Sequence, residues 1–409
     1  MRDNFLQYNN MKSTDYICIF GGGAVRGMAY IGAIRALREL GINCNILAGS
    51  SVGAIFASLY ALDCTDEEIK NILYEFNGFM FKDINFGIGT DFAFSKGDIF
   101  EEWIREKTEK KFYGEKYIKG ENPPLTFKDL KKDLYICTTD LKTNSQFIFS
   151  KENTPDYEIA KAVRTSACFP GLMKPVEYED KILVDGDLAQ SIPFWKSNEK
   201  LMNADARILE FRLEGARENV KLKTLFDYLN SVYSAFTNFC SDNVAQMYNN
   251  KDKFDYILID TKNVLLLDFN ISTEEKDKIS QNGYDTTIEY FTKTLVSKKK
   301  KLMPLYKESL VLLQNIKACI KSNKISKAKK IFLEFIAKTT DEFANLDETF
   351  LHKFKNLKDS LLEDIKSTPL LNMSKLNNKA EYIKILQGMI EQCEFIINDF
   401  EQYILKYEK

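Results

Sequence analysis

Gly49-Ser50-Ser51-Val52-Gly53 constrains this chain more than any other stretch. The apolar run Ile46 to Ala48 before it and the Ala-rich run Val52 to Leu62 after it predict a strand, a sharp turn and a buried helix, with Ser51 at the apex. Small residues on either side let the backbone bend tightly and push the central hydroxyl into the open, the geometry of a nucleophile elbow. Upstream, Tyr16 to Phe20 is apolar without polar alternation, as in a strand buried on both faces of a parallel sheet. It runs into Gly21-Gly22-Gly23 and then a helix from about Val25 to Leu40. Glycines leave backbone N–H groups bare and a helix N-terminus adds a positive dipole end, so this loop predicts an anion site. Adjacent parallel strands carry both turns to the carboxyl edge of one sheet, which sets N–H donors beside an attacking hydroxyl.

A dinucleotide loop would need Gly-x-Gly-x-x-Gly; counted from Gly21, Arg26 stands at the third glycine and Gly27 comes one residue late. A phosphate-binding Walker loop would follow Gly27 with Lys and Ser/Thr, where Met28-Ala29 stand. The apolar run Lys181 to Val184 ends in Asp185-Gly186-Asp187, which places a carboxylate like a catalytic acid at a strand end; a plain Asp-Gly turn is the alternative. The one histidine, His352, sits in a Lys-rich helical segment and reads as solvated. Ser51 also follows only two strands, too few for the elbow of an α/β-hydrolase. The base is therefore a carboxylate, and Ser51 with Asp185 forms a dyad. An aspartate near its usual value of about 3.9 accepts a serine proton poorly, so desolvation must raise it and oxyanion donors must supply much of the rate.

At 409 residues the chain exceeds one ordinary core, which predicts two domains. A net charge of −2 argues against a nucleic-acid binder. Eight scattered cysteines without a Cys-x-x-Cys pair predict neither zinc nor a disulfide framework, and reduced thiols in a cytoplasmic compartment. Met1 to Asp15 is polar, so no signal peptide is expected, and without an apolar run of roughly 20 residues any membrane contact is peripheral. The expected layout is an arm at 1–14, a catalytic domain at 15–297 and a helical module at 298–409. The last stretch holds 21 Lys, no Arg and 15 acidic residues, a net of +6 that leaves −8 for the rest. Its helices are expected at 304–322, 325–338, 346–366 and 379–407. Ile383, Leu386, Ile390, Cys393, Ile397, Phe400 and Ile404 recur every three or four residues, as in a bundle. The lysines at 298–301 and 321–330 form a solvated face or touch anionic lipid. Further strands are expected at 134–138, 146–150, 207–213, 256–260 and 264–269, and helices at 98–112 and 224–248. The Phe- and Gly-rich stretch Asn77 to Lys96 reads as a core-covering loop, or as a lid facing lipid.

Gly21 to Gly27, Gly49 to Gly53 and Asp185-Gly186-Asp187 resemble, in that order, the three signatures of the patatin-like phospholipases. Ala162 to Pro175, Thr138-Thr139-Asp140, Leu267-Asp268-Phe269 and Gly283-Tyr284 look like the same family, so the resemblance spans Asp15 to Leu295. It implies a three-layer α/β/α sandwich, here followed by an all-α module. It also implies Ca²⁺-independent hydrolysis of phospholipid or lysophospholipid acyl esters through an acyl-serine, with Ser51 as nucleophile and Asp185 as base. Gly21, Gly22 and Gly23 would form the oxyanion hole with Arg26 close by, and no metal or cofactor is expected. The expected partners are a phospholipid surface and an activating protein engaged through the C-terminal helices, as in some bacterial effectors of the family. The alternative is an adaptor with a silent α/β domain. One departure is Asp187, where the family usually has Gly or Ala; it either tunes Asp185 or caps the turn, and a cap is the expectation.

Overall fold

The computed structural model describes residues 16–84, 93–189, 206–215, 222–262, 264–338, 343–367 and 379–408. The 1–14 arm, Phe86, Phe92, Gln190 to Pro193 and Pro369 lie outside the described residues. The chain divides into two compact units, Met1–Asn249 with Phe254–Ile288, and Asn250–Lys253 with Glu289–Lys409.

In the first unit β1 (Tyr16–Phe20), β2 (Cys44–Gly49), β4 (Asp133–Asp140), β9 (Arg207–Glu214) and β10 (Phe254–Asp260) run parallel, in the order β10-β9-β1-β2-β4. β8 (Lys181–Asp185) continues the sheet antiparallel to the end of β4, with Asp185 opposite Thr138, and β7 (Val176–Tyr178) follows it. β5 (Ser145–Ser150) pairs antiparallel with β4. A separate two-stranded ladder joins β3 (Ala93–Ser95) to β6 (Gly171–Met173).

All five residues of β1 are buried because both faces of the strand are covered. Ile17 and Ile19 pack on one face with Val244 and Tyr248 of α6 (Leu225–Tyr248). On the other, Phe20 meets Tyr30 of α1 (Ala29–Glu39) at 5.3 Å between ring centroids, and Tyr30 meets Phe56 of α2 (Val52–Ala61) at 5.2 Å. These are the two helical layers of an α/β/α sandwich. The Tyr30 hydroxyl, fully buried, donates to Gly21 O at 2.9 Å and so escapes the penalty of an unpaired polar group. α1 crosses α7 (Thr273–Glu289) at backbone contact: a Cβ on Gly32 would fall 1.8 Å from Ser280 O, and one on Gly283 would fall 2.0 Å from Ala29 O. The remaining helices of this unit are α3 (Asp66–Tyr74), α4 (Asp98–Tyr113) and α5 (Ile159–Ser166).

Two expectations fail here. Cys18 and Cys44, on neighbouring strands with Cα atoms 5.8 Å apart, are joined as a disulfide, so the thiols are not all reduced; Cys64, Cys137, Cys168, Cys240, Cys319 and Cys393 are free and buried. Val264 to Phe269 is not a strand: its carbonyls turn toward the glycine loop, with Leu266 O accepting from Val25 N and Val264 O from Arg26 Nε. In the Phe-rich stretch, Phe81 is buried and stacks near Phe76 and Phe100, whereas Phe79 and Phe94 are exposed.

The second unit is helical: α8 (Leu295–Lys321), α9 (Ile325–Lys338), α10 (Glu348–Ser367) and α11 (Lys379–Tyr407). Leu386, Cys393 and Phe400 from the apolar stripe of α11 share a core with Tyr306, Leu313 and Ile320 of α8. Tyr306 OH donates to Asp252 at 2.7 Å and accepts from Asp347 N at 2.8 Å. Pro304, expected at a helix start, lies inside α8, which begins at Leu295. The 298–301 lysines are not a uniformly solvated run. Lys299 is buried over the Phe400 ring and paired with Asp399 at 2.8 Å, and Lys300 pairs with Glu408. Among the described residues no helix is long and apolar enough to cross a membrane.

Candidate active site

β2 ends in the predicted turn, and Ser51 adopts φ 53° and ψ −126°, a conformation that costs on the order of 1–3 kcal/mol in a non-glycine residue. Several bonds hold it there. Ser51 N donates to Ser166 Oγ at 3.0 Å and Ser166 O at 3.2 Å, and Ser166 Oγ donates to Cys137 O at 2.6 Å. Only glycine fits on either side: a Cβ on Gly49 would lie 2.2 Å from Gly53 O, and one on Gly53 would lie 2.0 Å from Phe20 O.

Asp185 ends β8 with no exposed surface. Its backbone is pinned by Asp185 N donating to Cys168 O at 3.0 Å and by Thr139 Oγ1 donating to Asp185 O at 2.8 Å. Its Oδ1 accepts two hydrogen bonds, from Asp187 N at 2.9 Å and Tyr233 OH at 3.0 Å. Oδ2 is buried without a hydrogen bond of normal geometry, and Ser51 is the neighbouring hydroxyl that favours the ionised form. Burial pushes the Asp185 carboxyl up to about 7, with the Asp187 charge adding to the effect; the bonds from Asp187 N–H, Ser51 and Tyr233 oppose it. The fold thus brings Ser51 and Asp185, from separate turns, side by side.

The glycine loop differs from its expected use. Gly21 N donates to Phe211 O at 3.1 Å and Gly22 N to Asp187 Oδ1 at 3.1 Å, so two of the three glycine amides are occupied. The amides of Gly23, at φ 155°, and Ala24, at φ 46°, have no acceptor among the described residues. Arg26 is buried with Nε on Val264 O at 2.8 Å, and burial lowers its pKa. Its guanidinium lies against Gly215, where a Cβ would fall 2.1 Å from Cζ. Arg26 therefore anchors the loop.

Asp187 does not cap its own turn; Asp185 Oδ1 takes that N–H. The Asp187 carboxylate instead reaches across the site, accepting from Gly22 N and from Ser50 Oγ at 2.5 Å, with Arg212 Nη1 at 3.6 Å. It leaves no room for a side chain at Gly22, whose Cβ would fall 1.8 Å from Asp187 Oδ2. A cavity of about 30 Å³, lined by Gly22, Gly23, Asp187, Arg212, Tyr233 and Thr237 among others, adjoins the loop and has room for about one water. His352 lies in the second unit, exposed, with Nε2 3.0 Å from Asn356.

Residues 18–196 match the family model of the patatin-like phospholipases. The chain carries a patatin-like phospholipase domain. An uncharacterized protein of Acanthamoeba polyphaga mimivirus is 28% identical over 280 residues, covering 64% of this chain and 89% of that protein. A lysophospholipase of Chaetomium globosum is 30% identical over 178 residues, 42% of this chain but only 10% of that protein. The crystal structure of VipD from Legionella pneumophila shares the fold, with a TM-score of 0.50 at 16% identity over 93% of this chain and 91% of that one. The match over this domain makes lipid hydrolysis the class of chemistry to expect. Within this domain the sequence reading missed Ser50, Ser166 and Tyr233. Ser166 lies in the Ala162 to Pro175 segment that resembles the family, which was its only signal; nothing in the residues around Tyr233 points to Asp185.

Proposed function

We propose that the chain hydrolyses acyl esters of phospholipids or lysophospholipids without calcium, through an acyl-Ser51 intermediate. The observation that carries this reading is the buried, unbonded Oδ2 of Asp185 beside a serine held at positive φ. Asp185 accepts the Ser51 proton through Oδ2 as Oγ attacks the ester carbonyl. The Gly23 and Ala24 amides receive the developing oxyanion, a contribution of about 3–4 kcal/mol per well-aimed donor in comparable sites. The protonated Asp185 passes its proton to the departing alcohol, then takes one from the water that attacks the acyl-enzyme. A carboxyl raised to about 7 is a competent base near neutrality, which an ordinary aspartate is not.

The test is mass-spectrometric fatty-acid release from mixed phospholipid and lysophospholipid vesicles in EDTA. Wild type is compared with Ser51→Ala and Asp185→Asn, and Ser51 labelling by a fluorophosphonate is measured alongside. Release by wild type alone supports the reading; no release together with no labelling refutes it. The one-water cavity favours a second reading, a protein partner or membrane surface that must open the site. Release that requires eukaryotic cell extract or an anionic lipid would select it, and a folded protein whose Ser51 is not labelled in any of these conditions would leave a partner-binding adaptor.

A further inference from the structure

Tyr233 of α6 donates a hydrogen bond to Asp185 and is buried: its ring packs at a tilt with its centroid 4.5 Å from that of Phe169, and its hydroxyl ends on Oδ1. With the Asp187 amide, it takes up Oδ1 and fixes the carboxylate plane, which leaves Oδ2 as the oxygen facing Ser51. We propose that Tyr233 is the positioning residue of the base, holding the carboxylate so that Oδ2 is the oxygen that receives the serine proton. This rests on the proposed Ser51–Asp185 chemistry and adds a third member to it, on an element far in sequence from both motifs.

Among the described residues, the groups that face Asp185 are few. Asp187 follows it in the same turn, Ser51 comes from the elbow, the buried Cys168 thiol from the segment after α5, and Tyr233 from α6; Arg212 of β9 stands behind Asp187. The Asp187 charge opposes ionisation of Asp185, while the Asp187 N–H, Ser51 and Tyr233 favour it. The phenol itself is held in its protonated form by burial and by the two aspartates, so it acts as a donor at every working pH and never as a base.

Tyr233→Phe keeps the ring and its packing against Phe169 and removes only the hydroxyl. With a soluble short-chain ester, the acid limb of kcat/KM moves upward by about one pH unit and kcat falls roughly tenfold while KM stays within about twofold. A purely structural tyrosine would lower the yield or Tm and leave the limb where it was. Phe169→Ala, which frees the Tyr233 ring and keeps its hydroxyl, shifts the limb in the same direction by less. A ¹³C titration of the Asp185 carboxyl, read by comparison with Asp185→Asn, reports the same upward move without any turnover. An unmoved limb or an unmoved carboxyl in a folded Tyr233→Phe overturns the proposal. A moved carboxyl in a protein that hydrolyses no ester sustains the role of Tyr233 and refutes the hydrolase reading instead.

Discussion

Asp185→Asn removes the proposed base yet should stabilise the fold, in a pH-dependent way. The substitution is isosteric: an amide oxygen at Oδ1 still accepts from Asp187 N and Tyr233 OH. In the unfolded chain Asp185 ionises near its ordinary value of 3.8, whereas in the folded chain it keeps its proton to about 7. Between those values the unfolded state binds fewer protons, so wild-type stability falls as pH rises, and above about 7 the full cost is present. The interval from 3.8 to about 7, at about 1.36 kcal/mol per pH unit, amounts to something on the order of 4 kcal/mol. Asparagine carries no such cost. Wild type and variant should match in acid and diverge toward alkali, with the variant more stable by a few kcal/mol, a large share of the ~5–15 kcal/mol that holds a domain together. Trp103 is buried in the first unit, so urea unfolding followed by tryptophan fluorescence reports that unit. Curves of stability against pH that stay parallel for the two proteins would refute a buried Asp185 carboxyl with a raised pKa.

Ser51→Gly and Ser51→Ala should both abolish turnover, but they should differ in stability. Glycine adopts φ 53° without strain, so its urea midpoint should exceed that of the alanine variant by the equivalent of about 1 kcal/mol. His352→Ala should leave the pH profile of kcat/KM unchanged, since the exposed imidazole lies against Asn356; a lost acid limb would return the base to histidine.

Where the fold follows from local pattern, the sequence was sufficient. β1 announced itself as five apolar residues without alternation because neighbours cover both its faces, and α11 did so because Leu386, Cys393 and Phe400 must share one side. Val264 to Phe269 had the same apolar look as a strand, but its carbonyls serve Val25 N and Arg26 Nε, a demand that arises only once the glycine loop is folded. The site shows the same division. Ser51 and Asp185 lie in turns with recognisable chemistry. Which loop amides stay open depends instead on Phe211 O and the Asp187 carboxylate, and a count of glycines contains neither. Asp187 looked like a turn cap because its targets, Gly22 and Ser50, are remote in sequence. Tyr233 was one aromatic among many on α6, and only the tertiary fold singles it out.

The crossing of α1 with α7 has a consequence for how this protein can vary. At Gly32 and Gly283 a methyl group would meet main-chain oxygen, which no change of rotamer can move aside, so neither position has a neighbour whose shrinking could compensate. Substitution at either one requires the two helices to separate, and α1 carries the glycine loop at its leading end. Substitution is therefore tolerated less at that crossing than at surfaces that can change one side chain at a time, such as the outward face of α6 with Tyr228, Val232, Phe236 and Phe239. The glycine loop is thus tied to a rigid crossing, while the exposed face of α6 is open to change.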